Sequence, residues 1–349
     1  MALAFPPVDN FPSMHRRFCP PILIVGIFAL VAGANLHADP VAEMTSFSVF
    51  KTVNLEKLAS GTVMSVRGVP MSGARDLALE SCYVVRKPLQ KTADFQRLWN
   101  AARHSELKVY LHADFPLPPN AAQFQQVGNA PANASVKALM AVTEKLPASS
   151  AELQLSNADA KAFKPGSGFA AYWSNLLFHR AETYVSGGFA ALPPYETKGE
   201  AVRNGDEIAR LLKAAGKVKT QFSALLDGTP LLGGKAAFPA SFYWEMFDVE
   251  GLAAFNLGVL YGRSTPGGYQ SVDAQYYASG GYYTFLTFCQ MWPVTIGSQE
   301  CTLVWRGDLI SSPGLASLHG VERMGSSTAM MRETQRNIKC LLDDASKSP

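Results

Sequence analysis

The chain has 349 residues, of which 48% are hydrophobic and 17% are charged. Lysine and arginine together number 31, against 28 aspartate and glutamate residues, so the formal net charge is only +3. This near balance argues against a nucleic-acid-binding protein, which usually carries a strong basic excess or a basic stripe. The length is sufficient for one large domain or two small ones.

The N-terminal segment 1–38 has the order of features that is typical of a secretory signal peptide. A basic group at 15–17 precedes the uncharged apolar stretch 20–36, and Ala38 ends a small-residue cleavage site. We therefore expect cleavage after Ala38 and a periplasmic or secreted mature protein. The alternative is an uncleaved helical anchor, because the apolar stretch is near the lower limit for spanning a bilayer. Membrane contact is expected only in that case.

The remainder, 39–349, is predicted to form a single domain that begins with short strands. Alternating apolar and polar residues predict the strands, and Thr92 is the predicted N-cap of an early helix. The predicted elements of this first part are strands at 62–66, 77–86 and 107–112 and a helix at 92–102.

The middle of the domain, 120–228, is predicted to be helical. Its clearest helix spans 204–226, where Asn204 suits the N-cap and Gly228 can end the helix. Apolar residues follow one face of this helix, and the basic residues on the other side are interpreted as solvated. Those basic residues are Arg210, Lys213 and Lys217. Shorter helices are predicted at 135–146 and 168–186.

A β-rich part follows at 241–310, and a final helix is predicted at 320–342. The predicted strands are 241–249, 254–262, 269–277, 282–292 and 301–310, with a hairpin turn at 278–281, where two glycines accept positive φ. This order predicts an α+β fold in which a curved antiparallel sheet packs against helices, with a long C-terminal helix. In element order alone, the chain resembles the START-like helix-grip domains. That architectural analogy implies an apolar ligand held between sheet and helix.

Cys82, Cys289, Cys301 and Cys340 follow the predicted signal peptide. In an oxidising compartment an even number of cysteines permits disulfides. We expect Cys289 and Cys301 to face each other across a hairpin and to be able to form one. The alternative is that the cysteines are free thiols buried as small apolar residues. Because no CxxC spacing occurs, the sequence predicts no metal site.

Aromatic residues concentrate in the β-rich part, where 242–305 holds 15 of the chain's 37 phenylalanine, tyrosine and tryptophan residues. One interpretation is a filled core, and the other is the wall of a pocket for an apolar ligand. The ligand-binding candidates are Tyr243, Tyr277, Tyr283, Phe285 and Met331.

Carboxylates and histidines give no recognised catalytic motif: the chain has no HExxH, no GxSxG, no P-loop and no dinucleotide fingerprint. Glu245, Asp248 and Asp273 are interpreted as members of surface ion pairs with nearby arginines. His112 with Asp114, and His179 with Glu182, are spaced so that each pair can share a face.

Together these features predict an exported protein that binds an apolar or amphiphilic small molecule between sheet 241–310 and helix 320–342. No cofactor and no nucleic-acid partner are expected, and the oligomeric state is left open. The alternatives are an exported hydrolase with a His/carboxylate site and a structural envelope protein without catalytic activity.

Overall fold

The computed structural model describes residues 39–318 and 320–348. The predicted signal peptide lies outside the described residues, so its cleavage and the export of the protein stay predictions. Among the described residues, no helix has both the length and the apolar character that crossing a membrane requires.

The strands form one eight-stranded sheet in which every neighbouring pair is antiparallel. Hairpins join β4 to β8 in succession, β3 pairs with β4 at one edge, and β8 pairs with β2, which carries β1 at the far edge. The strands are β1 (Met64–Arg67), β2 (Asp76–Val85), β3 (Val109–Phe115), β4 (Ala240–Val249), β5 (Leu252–Thr265), β6 (Gly268–Ala278), β7 (Thr284–Ile296) and β8 (Gln299–Ser311).

Helices precede, interrupt and follow the sheet, and the α+β class with a long C-terminal helix is confirmed. They are α1 (Pro40–Phe47), α2 (Leu55–Ala59), α3 (Leu89–Leu98), α4 (Ala134–Glu144), α5 (Asn157–Ala162), α6 (Phe169–Ala191), α7 (Asn204–Ala214), α8 (Gly216–Gln221), α9 (Ser223–Asp227), α10 (Pro313–Ala316) and α11 (Gly320–Lys347). Short 3₁₀ helices span Ala101–Arg103, Ser105–Leu107, Ala121–Asn129, Ser150–Glu152 and Pro230–Leu232.

The two faces of the sheet are covered by different helices. Side chains alternate between faces along a strand, and on β7 Leu286 and Phe288 enter the main core, which also includes side chains of α1, α4 and α6–α9. Cys289 and Met291 point to the other face, where α3 and the C-terminal half of α11 pack. This second face carries the candidate site.

The predicted helix 204–226 is three consecutive short helices, α7, α8 and α9. The backbone leaves helical geometry at Ala215, with φ −91° and ψ 48°, and turns again at Phe222. Apolar residues of all three helices are buried in the main core. The predicted apolar face is therefore buried although the helix is interrupted twice. At the start of α3 the chain also differs from expectation, since α3 begins at Leu89 and the predicted cap, Thr92, lies inside it.

The register of β7 and β8 contradicts the predicted cysteine pair. Cys289 lies opposite Arg306 and Cys301 lies opposite Val294, because the hairpin turns between Ile296 and Gln299. The two cysteines are therefore offset by five residues, or roughly 17 Å along the strands. All four described cysteines are free and buried, which agrees with the alternative of buried thiols.

Candidate ligand-binding cavity

A cavity of about 240 Å³ lies between the second face of the sheet and the segments that cover it, α3 and α11. Strands β3 to β8 provide its floor, while Trp99, just after α3, and Leu341 of α11 contribute apolar walls. The volume is slightly below the roughly 300–1,000 Å³ of pockets for drug-sized ligands. The cavity therefore suits a small molecule.

The floor of this cavity is polar although the surrounding sheet is rich in aromatic residues. Alternate positions along a strand share a face of the sheet, and β4 and β6, the two neighbours of β5, together contribute one polar set to this face. The members of that set are Ser241, Tyr243, Glu245, Ser271, Asp273 and Gln275.

Tyr243 crosses the neighbouring strand to reach Asp273. Its hydroxyl donates to the two carboxylate oxygens of Asp273, at 2.9 and 3.1 Å. The ring passes over Gly258 of β5, where an added Cβ would lie 2.2 Å from Tyr243 Cζ. Glycine at 258 is thus needed for this tyrosine to span from β4 to β6.

We expect Gly258→Ala to reduce the free energy of unfolding by about 1–3 kcal/mol, as overpacking substitutions commonly do. The new methyl group would displace Tyr243 and separate its hydroxyl from Asp273. Urea denaturation measures the change, with Gly216→Ala as the control because a Cβ there meets no atom within 4 Å. Equal stability of the two variants would contradict the packing described here.

Asp273 is an acid whose titration is moved toward neutral pH. Burial raises its pKa to about 7; the Tyr243 hydrogen bond opposes the rise, and the nearby charge of Glu245 adds to it. Burial, and next the charge of Asp273, raises the pKa of Tyr243 well above its ordinary value, so its hydroxyl stays a donor.

His112 lies between two carboxylates at one end of the cavity. Its Nδ1 is 3.0 Å from Glu245 Oε1, and its Nε2 is 3.4 Å from Asp114 Oδ1. Burial lowers the pKa of His112, but these two hydrogen bonds and the charges behind them outweigh that effect and raise it to about 9. His112 is therefore an imidazolium at neutral pH, stacked 5.6 Å from the Tyr243 ring.

Asn256 holds the polar groups behind Glu245. Its Nδ2 lies 3.1 Å from Glu245 Oε2, 3.3 Å from Gln275 Oε1 and 3.2 Å from the Tyr282 hydroxyl. The Tyr282 hydroxyl in turn donates to Gln275. This network fixes the Glu245 carboxylate, because Asn256 is buried and has few other directions to donate.

Arg306 supplies a second buried charge at the opposite end. Its Nε donates to both carboxylate oxygens of Asp308 at 3.0 Å, and Thr287 donates to the same carboxylate at 2.7 Å. Burial lowers the pKa of Arg306, but the adjacent Asp308 outweighs burial and leaves it above its ordinary value. The guanidinium also reaches Asn337 of α11, at 3.4 Å.

The charges around the cavity leave one carboxyl group without a matching cation. Arg306 neutralises Asp308, and the imidazolium of His112 neutralises Glu245. Two exposed charges of opposite sign stand at the rim, Asp114 and Arg97. Within the described residues, Asp273 forms no ion pair and accepts hydrogen bonds from Tyr243 alone. An ionised Asp273 therefore adds a negative charge to the cavity floor, which the charge of Arg306 favours without a direct ion pair.

The structure brings together only part of the predicted ligand-binding set. Tyr243 and Phe285 line the cavity. Tyr277 and Tyr283 lie on the other face, where both rings pack against Tyr195. The Arg180 guanidinium lies over the ring of Tyr277. Met331 lies elsewhere on α11, packed with Leu77 and Leu79 of β2.

Tyr283 was a candidate for the same pocket wall as Phe285, but it lies on the opposite face because β7 begins only at Thr284. The preceding turn contains Gly281 at φ +84°, so strict alternation does not extend back to Tyr282 and Tyr283. From Phe285 onward the predicted alternation is observed. Tyr282 instead reaches the polar network, 3.2 Å from Asn256.

Sequence reasoning interpreted the acidic residues of this region as surface ion pairs, and this interpretation is wrong for Glu245 and Asp273, which line the cavity. Asp248 faces away and accepts hydrogen bonds from Ser135 and Tyr110. The parity of positions 241, 243, 245 and 271, 273, 275 is a sequence signal that places these residues on common faces. Their alignment depends on registers that include bulges in β3–β4 and β5–β6.

A separate cluster of possible metal ligands lies outside the cavity. His104, Glu106 and Cys340 each place one ligand atom within 4.8 Å of the other two. The pair His179 and Glu182 also meets, at 3.3 Å, but on an exposed turn of α6.

No protein-family model matches the chain, and comparisons with curated proteins and with solved structures likewise find no match.

Proposed function

We propose that this protein binds a small amphiphilic molecule with a cationic group, in the cavity between the sheet and helices α3 and α11, outside the cytoplasm. The observation that carries the proposal is Asp273, a carboxyl in the cavity floor that forms no ion pair with any of the described residues. An ammonium group that reaches it would supply the missing counter-ion.

The lining favours an amphiphilic ligand over a purely apolar one. An apolar ligand would leave the polar floor without hydrogen-bond partners, which is unfavourable for buried polar groups. The walls still offer apolar contact for the remainder of the ligand, through Trp99, Leu260, Phe285 and Leu341. The aromatic faces also suit a cation, since ring faces attract positive charge.

The test uses three probes of equal chain length, hexylammonium, 1-hexanol and hexanoate, in calorimetric titrations of the mature protein. We expect saturable binding of hexylammonium, at least about 10-fold tighter than 1-hexanol, and no binding of hexanoate. Because Asp273 must be ionised, the affinity for hexylammonium should rise as pH increases from 5 to 7 and then level off, following the pKa of about 7.

Asp273→Asn separates charge recognition from simple filling of the cavity. We expect it to weaken hexylammonium binding by about 10-fold or more while leaving 1-hexanol binding unchanged. Asp206→Asn, on an exposed position of α7, is the matched control and should behave as the unsubstituted protein. Equal affinities for the amine and the alcohol, or an Asp273→Asn protein that binds the amine normally, would refute the proposal.

A hydrolase with a His/carboxylate site is the second candidate. The observation that favours it is the pKa of about 7 for Asp273, because a group that titrates near neutral pH can both give and accept a proton. His112 and Glu245 stand beside it as a fixed, charged pair. Recovery of a natural ligand intact from the protein supports binding, whereas recovery of only cleaved products supports hydrolysis.

A further inference from the structure

Two distant segments of the chain place three metal-ligand groups together at the side of α11. After α3, His104 lies between two 3₁₀ helices and Glu106 lies in the second of them, and Cys340 lies in the last third of α11. We propose that His104, Glu106 and Cys340 bind a divalent transition metal ion, with Zn²⁺ as the expected ion. This site is separate from the cavity and does not depend on the function proposed for it.

The spacing of the three groups fits a tetrahedral ion. His104 Nδ1 is 3.7 Å from Glu106 Oε1, and Cys340 Sγ is 3.4 Å from the same oxygen. Zinc bonds of roughly 2.0–2.3 Å to oxygen, nitrogen and sulfur give tetrahedral ligand–ligand separations of about 3.3–3.6 Å. The ligand atoms of His104 and Cys340 lie within 4.8 Å of each other, so the side chains would have to close by about 1 Å at most to place one ion in contact with all three atoms.

The hydrogen bond that His104 forms through Nε2 favours metal binding through its other nitrogen, Nδ1. Asp344 Oδ2 lies 2.8 Å from His104 Nε2, and Trp99 Nε1 donates to the same carboxylate oxygen at 3.0 Å. A proton held on Nε2 by Asp344 leaves the lone pair of Nδ1 directed toward Glu106 and Cys340. A carboxylate behind a ligand histidine is a recurrent feature of zinc sites, where it fixes the tautomer and ring orientation.

The ligand types select the class of metal. A thiolate with an imidazole suits zinc and similar borderline ions, whereas magnesium and calcium prefer an all-oxygen shell. Three protein ligands leave a fourth position for water or another small ligand. The cluster lies at the edge of the fold, since the Glu106 side chain is 53% exposed while Cys340 is buried.

Metal binding at this place would join α11 to the turn after α3. Both segments cover the cavity, so a bound ion would hold the cover in position. Binding to the folded state alone also stabilises a protein by mass action, and removal of the metal should lower the melting temperature.

The experiment is Co²⁺ and Zn²⁺ titration of the full-length mature protein, reduced and stripped of metal beforehand. We expect one ion per chain, and with Co²⁺ the thiolate-to-metal charge-transfer band and the intense visible bands of a tetrahedral site. Cys340→Ala should remove the charge-transfer band and weaken Zn²⁺ binding by about 100-fold or more, whereas Asp344→Asn should weaken it by about 10- to 100-fold.

Matched variants separate ligand loss from damage to the fold. Cys301→Ala removes another buried thiol, and His179→Gln removes an exposed histidine; both should bind Zn²⁺ as the unsubstituted protein does. Glu106→Gln changes an exposed side chain and should leave the fold intact while lowering the affinity for Zn²⁺. The proposal is overturned if no thiolate–Co²⁺ band develops, or if Cys340→Ala and Glu106→Gln retain full Zn²⁺ affinity.

Discussion

Replacing Arg210 with alanine is expected to lower the free energy of unfolding by about 3–5 kcal/mol, the usual effect of breaking a buried ion pair from one side. The Arg210 guanidinium lies 2.5 Å from Asp76 Oδ1 and 2.5 Å from Glu207 Oε2. Those carboxylate side chains are 0% and 2% exposed. Without Arg210, the carboxylates of Asp76 and Glu207 remain in the interior. Of these two, Arg75 reaches only Glu207, at 3.0 Å.

Urea denaturation of Arg210→Ala against Lys213→Ala tests this expectation, because Lys213 is an exposed basic residue on the same helix. The stability of Arg210→Lys should lie between those of the two alanine variants. A lysine keeps the positive charge but lacks the planar guanidinium that donates hydrogen bonds to two carboxylates at once. A change below about 1 kcal/mol in Arg210→Ala, the size expected of a surface ion pair, would show that the pairing is weak.

Arg210 also illustrates which part of the fold was readable from the sequence. The apolar periodicity of 204–226 identified the buried face correctly, but it assigned Arg210 to solvent along with Lys213. Helical position alone cannot reveal Asp76, which lies 134 residues earlier and meets Arg210 only through the sheet. Local patterns predicted the strands within a few residues, whereas the prediction of one helix over 204–226 missed the break at Ala215, which directly precedes Gly216.

Two of the five ligand-binding candidates named from the sequence line the candidate site, and three do not. The two that line it are Tyr243 of β4 and Phe285 of β7, whereas most aromatic residues of 242–305 fill the main core on the other face. The polar floor was missed because Asp273, Glu245 and His112 come from three strands whose alignment depends on register. The His104–Cys340 cluster was missed for the same reason, since 236 positions separate its two metal-ligand segments.

The stability of this protein is expected to fall as pH rises from about 5 to 9, through two groups of the cavity. The pKa of Asp273 is raised to about 7 from an ordinary value near 4. The folded state thus holds this proton more tightly than the unfolded chain, and stability decreases as pH rises between those values. The difference of about three pH units corresponds to about 2–4 kcal/mol once solvent in the cavity is allowed for.

His112 extends the decline to higher pH. Its pKa is raised from about 6.5 to about 9 by Asp114 and Glu245, after burial has opposed the change. The contribution of His112 to stability is complete below about pH 6.5 and is lost as the pH rises through 9. This loss lowers the free energy of unfolding by about a further 2–3 kcal/mol. Carboxylates whose pKa is lowered, such as Glu207 and Asp248, act in the opposite sense only below about pH 4.5.

Asp273→Asn isolates the first of these two contributions. Denaturation curves at pH 4, 6 and 8 should show that this variant equals the unsubstituted protein at pH 4 but exceeds it by about 2 kcal/mol or more at pH 8. Asp206→Asn should show no such divergence, and a loss of stability at pH 8 in Asp273→Asn would contradict the assigned pKa. A carboxylate that weakens the fold when ionised would gain a counter-charge from a bound cation, so the cationic ligand proposed above should stabilise the protein at pH 8.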